Sequence, residues 1–227
     1  MRTPVESAAI IALVVLLCAA CGPSGKQTTV MKPTTTPERS ETSTVALAGE
    51  LRGGGYVLFL RHAATDLEET DRDKSDLSDC SRQRNLTAEG REQAREIGAA
   101  FREAEIPVRE ALASPYCRTR QTAELIFGGS RVRTSSDLLS PEYVPENRAA
   151  QVEDYGANLL RLLSTRPERG TNLVLVGHES VLREVTGESV AEGGAVVFEP
   201  LDDEGFRIVG TIGPDEWRRL PGIGQVK

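Results

Sequence analysis

The fold class this sequence predicts is a three-layer α/β/α sandwich on a mostly parallel, doubly wound sheet. Two unbroken apolar runs, 56–60 and 173–176, have the look of strands buried on both faces, which is how parallel strands read. Segments of helical apolar period separate the strand candidates, in the order β-α-β-α-α-β-α-β-β. The length of 227 residues suits one ordinary domain with a core of its own.

The first strand, 56–60, follows the punctuation of Gly53, Gly54 and Gly55 and runs into Arg61 and His62. Thr87 is a good N-cap, Glu89 suits the positive end of a helix dipole, and Ala94, Ile97, Phe101 and Ala104 recur at helical spacing, so a helix is expected over about 88–104. A weaker strand at 111–113 leads into Ser114 and Arg118, and a second helix is expected from Thr119 to about Phe127. A third covers about 148–163, with Val152, Tyr155, Leu159 and Leu162 on one face. The strand at 173–176 ends in Gly177 and His178. Segments 195–198 and 206–209 form a hairpin around Asp202 to Gly205, and a short helix over 215–220 closes the domain.

The N-terminus has a different character. Residues 7–20 form an uncharged apolar run of about 14 residues, short of the roughly 20 a spanning helix needs, and it ends in Ala19 and Ala20 directly before Cys21. This resembles a bacterial lipoprotein signal, in which the cysteine after the small residues carries the lipid; here Cys18 stands where that pattern usually has Leu. The alternative is a buried core helix, which at an extreme terminus followed by a polar tract would have nothing to pack on. From Gly22 to about Ala48 the chain is rich in Thr, Ser and Pro and cannot bury enough surface to offset its ordering entropy. The expected organisation is a signal peptide over 1–20, a flexible tether over 21–48 and a domain over 49–227, exported and held to the membrane only by the lipid.

A net charge of −7 leaves no basic footprint, so nucleic acid is not an expected partner; oligomeric state has no signal. With Cys18 lost and Cys21 lipidated, Cys80 and Cys117 are one pair in an oxidising compartment: either a disulfide or two unpaired small hydrophobes. The two histidines, far apart in sequence and with no CxxC beside them, give no zinc signature, and no metal site or cofactor is expected.

Both histidines and two arginines, Arg61 and Arg118, fall at or just beyond strand ends. Ligands of open α/β sheets bind there, so these side chains are expected on one face. Guanidiniums make planar, multidentate contacts with phosphate or carboxylate, and a small anionic ligand fits a cationic site in an acidic protein.

These residues carry a resemblance to the histidine phosphatase superfamily, which includes the phosphoglycerate mutase-like enzymes. Arg61-His62-Ala63 resembles its Arg-His-Gly signature, with Ala63 for Gly and Thr65 where members often have Ser or Thr. The stretch from Leu86 through Ala94 resembles the entry to the first helix, the stretch from Ser114 through Ala123 the segment with the second phosphate arginine, and Val176-Gly177-His178 the second histidine. The resemblance implies a phosphoglycerate mutase-like fold, with His62 attacking phosphorus to give phosphohistidine. It also implies that Arg61, Arg118 and His178 hold the phosphate, and that Thr65 and the backbone after His62 add donors. The leaving-group acid is either Glu142, where the mutase-like branch places a Glu, or Glu179, which follows His178 as in the acid-phosphatase branch; Glu142 is favoured. The charged stretch 67–84 is a wall to the substrate or a surface loop. The expected function is that of a metal-independent phosphomonoesterase acting on a small phosphorylated substrate. Its alternatives are a phosphoprotein (phosphohistidine) phosphatase and a non-catalytic anion-binding lipoprotein.

Overall fold

The run Tyr56 to Leu60 is unbroken because both of its faces are covered. The computed structural model describes residues 44–201 and 205–220, all within the unit Pro33–Lys227, and in it this run becomes strand β1 (Val57–Arg61). Leu58 and Leu60 enter one core with helices α1 (Thr44–Gly53), α2 (Ala88–Glu103) and α3 (Cys117–Phe127). Val57 and Phe59 point the other way and enter a second core with α4 (Tyr155–Leu163) and α5 (Glu179–Thr186). Successive side chains on a strand alternate between faces, so a strand sandwiched by helices has no polar side to show.

The sheet has six strands in the order β3-β2-β4-β1-β5-β6, with β2 (Val108–Ala113), β3 (Val132–Thr134), β4 (Asn172–Gly177), β5 (Ala195–Leu201) and β6 (Gly205–Ile212). The pairings β3-β2, β2-β4 and β4-β1 are parallel; β1-β5 and β5-β6 are antiparallel. The three layers and the mostly parallel sheet are those expected.

Several elements depart from expectation. The stretch assigned to the tether ends sooner, because α1 begins at Thr44 and buries Leu47, Ala48 and Leu51. The fully buried Asn172 fixes this helix to the sheet: its amide donates to the Leu51 carbonyl at 2.7 Å and to that of Pro107 at 3.0 Å. The helix expected from Thr119 begins at Cys117, which draws Arg118 into its first turn. The helix expected over 148–163 divides into a 3-10 segment, Glu146–Val152, and α4. Val152 packs with Tyr116 and Leu139 in a small separate cluster, whereas Leu159 and Leu162 face the sheet. Tertiary contact thus overrides an apolar period that sequence spacing makes continuous. The closing helix is a single 3-10 turn, Trp217–Arg219, and β3 is a short strand with an exposed face that carried no apolar signal. Residues 1–43, on which the expected signal peptide and Cys21 fall, and the hairpin residues Asp202 to Glu204 lie outside the described residues.

α2 is capped as expected: the Gly90 N–H donates to Thr87 Oγ1 at 2.9 Å. A Cβ on Gly90 would lie 1.9 Å from the Ala64 carbonyl oxygen. The glycine therefore lets α2 seat its first turn directly on the chain leaving β1, beside the site.

Candidate active site

The register of β1 against β4 sets the two histidines side by side. Arg61 pairs with Gly177, and the next residue of each strand is a histidine. The His62 backbone N–H donates to the Gly177 carbonyl at 3.2 Å, and the two rings lie 5.7 Å apart between centroids. Gly177 has to be glycine, since a Cβ there would come within 2.5 Å of the Phe59 ring. β2 ends at the same level, where Ser114 Oγ meets His178 Nε2 at 3.0 Å. All of this lies at the carboxyl ends of the parallel strands, as open α/β sheets dictate.

His62 is buried, and its Nδ1 lies 2.9 Å from the Ala63 carbonyl oxygen. A carbonyl only accepts, so Nδ1 carries the proton and Nε2 keeps its lone pair. Burial, and next the charge of Arg118, lower the His62 pKa to about 3, so the ring is neutral and nucleophilic at any ordinary pH. His178, also fully buried, is held well below its ordinary value by burial first and then by Arg118. Its ring lies flat against Tyr143, 4.0 Å between centroids, with Tyr116 edge-on at 5.3 Å.

Three guanidiniums surround the histidines. Arg61, Arg84 and Arg118 each act electrostatically on both rings. Arg118 is buried, with its terminal nitrogens on the Asp71 carboxylate at 2.9 and 3.2 Å and its guanidinium 4.4 Å from the Tyr116 ring centroid. Arg61 Nη1 donates to the Val190 carbonyl at 3.0 Å. Among the described residues, the buried side-chain nitrogens without a hydrogen-bond partner are Arg61 Nε, Arg84 Nε, Arg118 Nε and His178 Nδ1. The first three are N–H donors. The fourth becomes one when the Ser114 hydroxyl donates to His178 Nε2. Buried donors without protein partners are costly, and a set of them near the histidines has the chemistry to hold an oxyanion.

The expected residues do not all converge. Arg61, His62, Arg118 and His178 meet. Thr65 does not stand open: its hydroxyl donates to Glu192 at 2.7 Å and its N–H to the same carboxylate at 3.2 Å. The backbone after His62 is committed too, Ala63 N–H to Thr122 and Ala64 N–H to Gln93, so it supplies no further donors. Ala63, where the signature has glycine, is buried with ordinary backbone, because the only described non-glycine residue with positive φ is Glu105. Glu179 is paired with Arg183 at 2.6 Å and accepts from the Ser189 hydroxyl at 2.7 Å. Glu142 is exposed in the turn Pro141–Tyr143, directly before the tyrosine that covers His178. Burial raises the Tyr143 phenol most, and Glu142 is the next cause that raises it; the Glu142 carboxylate accepts from the Ser140 hydroxyl at 3.4 Å.

Sequence reasoning missed Arg84, Asp71, Ser114 and Glu192 as members of the site. Arg84 and Asp71 belong to the charged stretch 67–84, whose composition suits a solvated loop. A signal for Ser114 existed, since it follows β2 as His62 and His178 follow β1 and β4. Glu192 stands 3.8 Å from Arg61 and 3.9 Å from His62 Nδ1. Cys80 and Cys117 form a disulfide. Among the described residues no three His, Cys, Asp or Glu side chains group as metal ligands. A groove of about 660 Å³ along α2 and α3, lined in part by Phe101, Arg102, Leu125 and Arg131, holds none of the clustered residues and lies apart from the chemistry.

The sequence pattern described as histidine phosphatase superfamily (branch 1) matches residues 57–143. No curated relative matches the chain. A solved structure of the protein histidine phosphatase SixA complexed with tungstate superposes with a TM-score of 0.51 at 16% identity, over 71% of this chain and 98% of that one. Bacillus stearothermophilus YhfR gives 0.49 at 17% identity, over 67% and 94%. A putative phosphohistidine phosphatase SixA from Agrobacterium tumefaciens gives 0.44 at 19%, over 70% and 98%. The first of these likenesses shows the shared fold.

Proposed function

We infer that this chain is a member of the histidine phosphatase superfamily and hydrolyses a phosphate monoester through a phosphohistidine on His62. The observation that carries the reading is the ring of unpartnered buried donors, Arg61 Nε, Arg84 Nε, Arg118 Nε and His178 Nδ1, around a neutral imidazole whose Nε2 is free. Three guanidiniums supply at the equatorial phosphate oxygens the charge that a metal supplies elsewhere, and the reaction proceeds without one.

In the first step His62 Nε2 attacks phosphorus in line, the bond from phosphorus to the leaving oxygen breaks, and that oxygen takes the proton of the Glu142 carboxyl. In the second, water attacks phosphorus, the N–P bond breaks and a water proton passes back to the Glu142 carboxylate. Glu142 is the acid and base of this cycle, because it directly precedes Tyr143, which covers His178, and its carboxylate has only the Ser140 hydroxyl at 3.4 Å and no cation paired to it among the described residues, while Glu179 is held by Arg183 and Ser189. Glu142→Gln is expected to lower kcat about 100-fold on an alkyl phosphate and much less on an aryl phosphate with a good leaving group; Glu179→Gln is expected to change both by less than about threefold. The reverse pattern moves the acid role to Glu179.

The protein acts outside the cytoplasm, lipidated at Cys21 and joined by the polar tether to its domain. Supporting this are the apolar run that ends at Ala20 and the disulfide of Cys80 and Cys117, a bond that persists in oxidising compartments. The test takes the full chain from the membrane fraction, from which Cys21→Ser releases it, and mixes it with a labelled aryl phosphate in excess chelator. Acid-labile, base-stable label on the protein and a burst of the phenol are expected. Turnover that needs added metal, or protein that never acquires label, removes the reading.

A further inference from the structure

The stretch 71–85 carries Arg84 into the site and is fastened to the first turn of α3, the turn that carries Arg118. Three kinds of bond make the attachment. Cys80 is joined covalently to Cys117, the residue before Arg118. Gln83, almost fully buried, accepts from the Cys117 N–H at 2.9 Å and donates to the Leu77 carbonyl at 2.9 Å. Asp71 accepts the Arg84 N–H at 2.9 Å while holding both terminal nitrogens of Arg118, and Arg118 Nη1 reaches the Arg84 carbonyl at 3.4 Å. Asn85 adds a bond from its amide to the Cys80 carbonyl at 2.7 Å.

Two of the three guanidiniums of the site therefore take their places from one clamp. Arg118 is directed from its own helix, but Arg84 sits on a stretch with no α-helix or strand, containing a single 3-10 turn at Cys80–Arg82. Such a stretch has little of its own to oppose its conformational entropy, so ties to a rigid element, the covalent one above all, hold a side chain on it to the tolerance that phosphate binding needs. Cys117 is fully buried, whereas Cys80 is half-buried and within reach of a reductant.

We propose that the Cys80–Cys117 disulfide is a positioning element for phosphate, so that this chain binds its substrate's phosphoryl group tightly only when oxidised. The inference rests on the phosphate-site reading above. Reduction by a dithiol moves two electrons and two protons to the protein: the S–S bond becomes two thiols and the dithiol closes to its own disulfide. The phosphate site then has its full complement of fixed guanidiniums only in an oxidising compartment, and phosphate affinity is low in a reducing one.

The experiment compares the full chain, oxidised and after treatment with excess dithiothreitol, with the Cys80→Ser/Cys117→Ser double variant. Inorganic phosphate is the probe, its Kd read by calorimetry, alongside KM and kcat on an aryl phosphate and far-UV circular dichroism. Reduction is expected to raise Kd and KM together by about 10- to 100-fold, with a smaller change in kcat, and reoxidation is expected to restore both. The double variant is expected to match the reduced protein and to ignore the reductant. Gln83→Leu, which keeps the disulfide but breaks the hydrogen-bonded part of the clamp, is expected to weaken phosphate binding in the same direction and decides the matter if the double variant does not fold. A Kd and KM unchanged by reduction, with thiols titrated and only the melting temperature lowered, make the bond a mere stabiliser and overturn the proposal. Oxidised protein that binds phosphate without turning over an ester would instead remove the phosphatase reading, and the Kd comparison would still judge the clamp.

Discussion

His62→Ala is expected to lower kcat/KM on an aryl phosphate by at least about 10⁴-fold, the scale seen when a covalent nucleophile is deleted. Label trapped on the protein is expected to vanish with it. Phosphate affinity should fall far less, because the donors on Arg61, Arg84, Arg118 and His178 remain. Free phosphate binding and turnover therefore separate in this variant, and a His62→Ala protein that keeps a tenth of the activity would assign the nucleophile elsewhere. The same substitution has a signature in stability. The His62 pKa is about 3 in the folded chain and near 6.5 when unfolded, so below pH 6.5 the unfolded chain binds a proton that the folded chain refuses. Stability is fully present above pH 6.5 and is lost as pH falls toward 3, by about 1.4 kcal/mol per pH unit for each such histidine. His178 is depressed in the same direction and adds to the loss. His62→Ala is expected to flatten this slope by one proton, measured by urea unfolding at pH 7 and pH 5.

Arg118→Ala is the second large effect and acts on both activity and stability. The guanidinium is 2% exposed and the Asp71 carboxylate 16%, so truncating the arginine strands a nearly buried anion. Breaking such a pair costs about 3–5 kcal/mol, which for a domain of this size lowers the melting temperature by about 10 °C. Losing one charge-bearing phosphate donor is expected to cost a further 10²- to 10³-fold in kcat/KM. Arg118→Lys does not rescue it, because an ammonium cannot hold both Asp71 oxygens and still present Nε to a phosphate. A double variant, Arg118→Met with Asp71→Leu, removes both charges and is expected to regain most of the stability and none of the activity. Recovery of activity along with stability would show that Arg118 only supports the fold.

The parts of the site that could be read in advance were those written into continuous segments. Arg61 and His62 end one buried strand and Gly177 and His178 another, and parallel pairing in register brings them together. Arg118 was legible because it follows a strand and opens a helix. Thr65 and the backbone after His62 misled, since they are donors in the right place whose partners, Glu192, Thr122 and Gln93, come from distant positions in the chain. Glu142 was favoured over Glu179 as the acid from its place in the chain, and the pairing of Glu179 with Arg183 and Ser189 was not visible in the sequence.

The sequence by itself determined the layers, most of the strands and the placing of the two histidines, because apolar periodicity and strand ends are properties of neighbouring residues and transfer directly to a face of the sheet. Only the tertiary structure decided that the charged stretch 67–84 is part of the site, with Asp71 on Arg118, Arg84 held by Asp71 within electrostatic reach of the histidines and Cys80 bonded to Cys117. A charged stretch without periodicity has no preferred face of its own. Where its side chains point is set by the partners it meets across the fold, here an arginine and a cysteine in the first turn of α3.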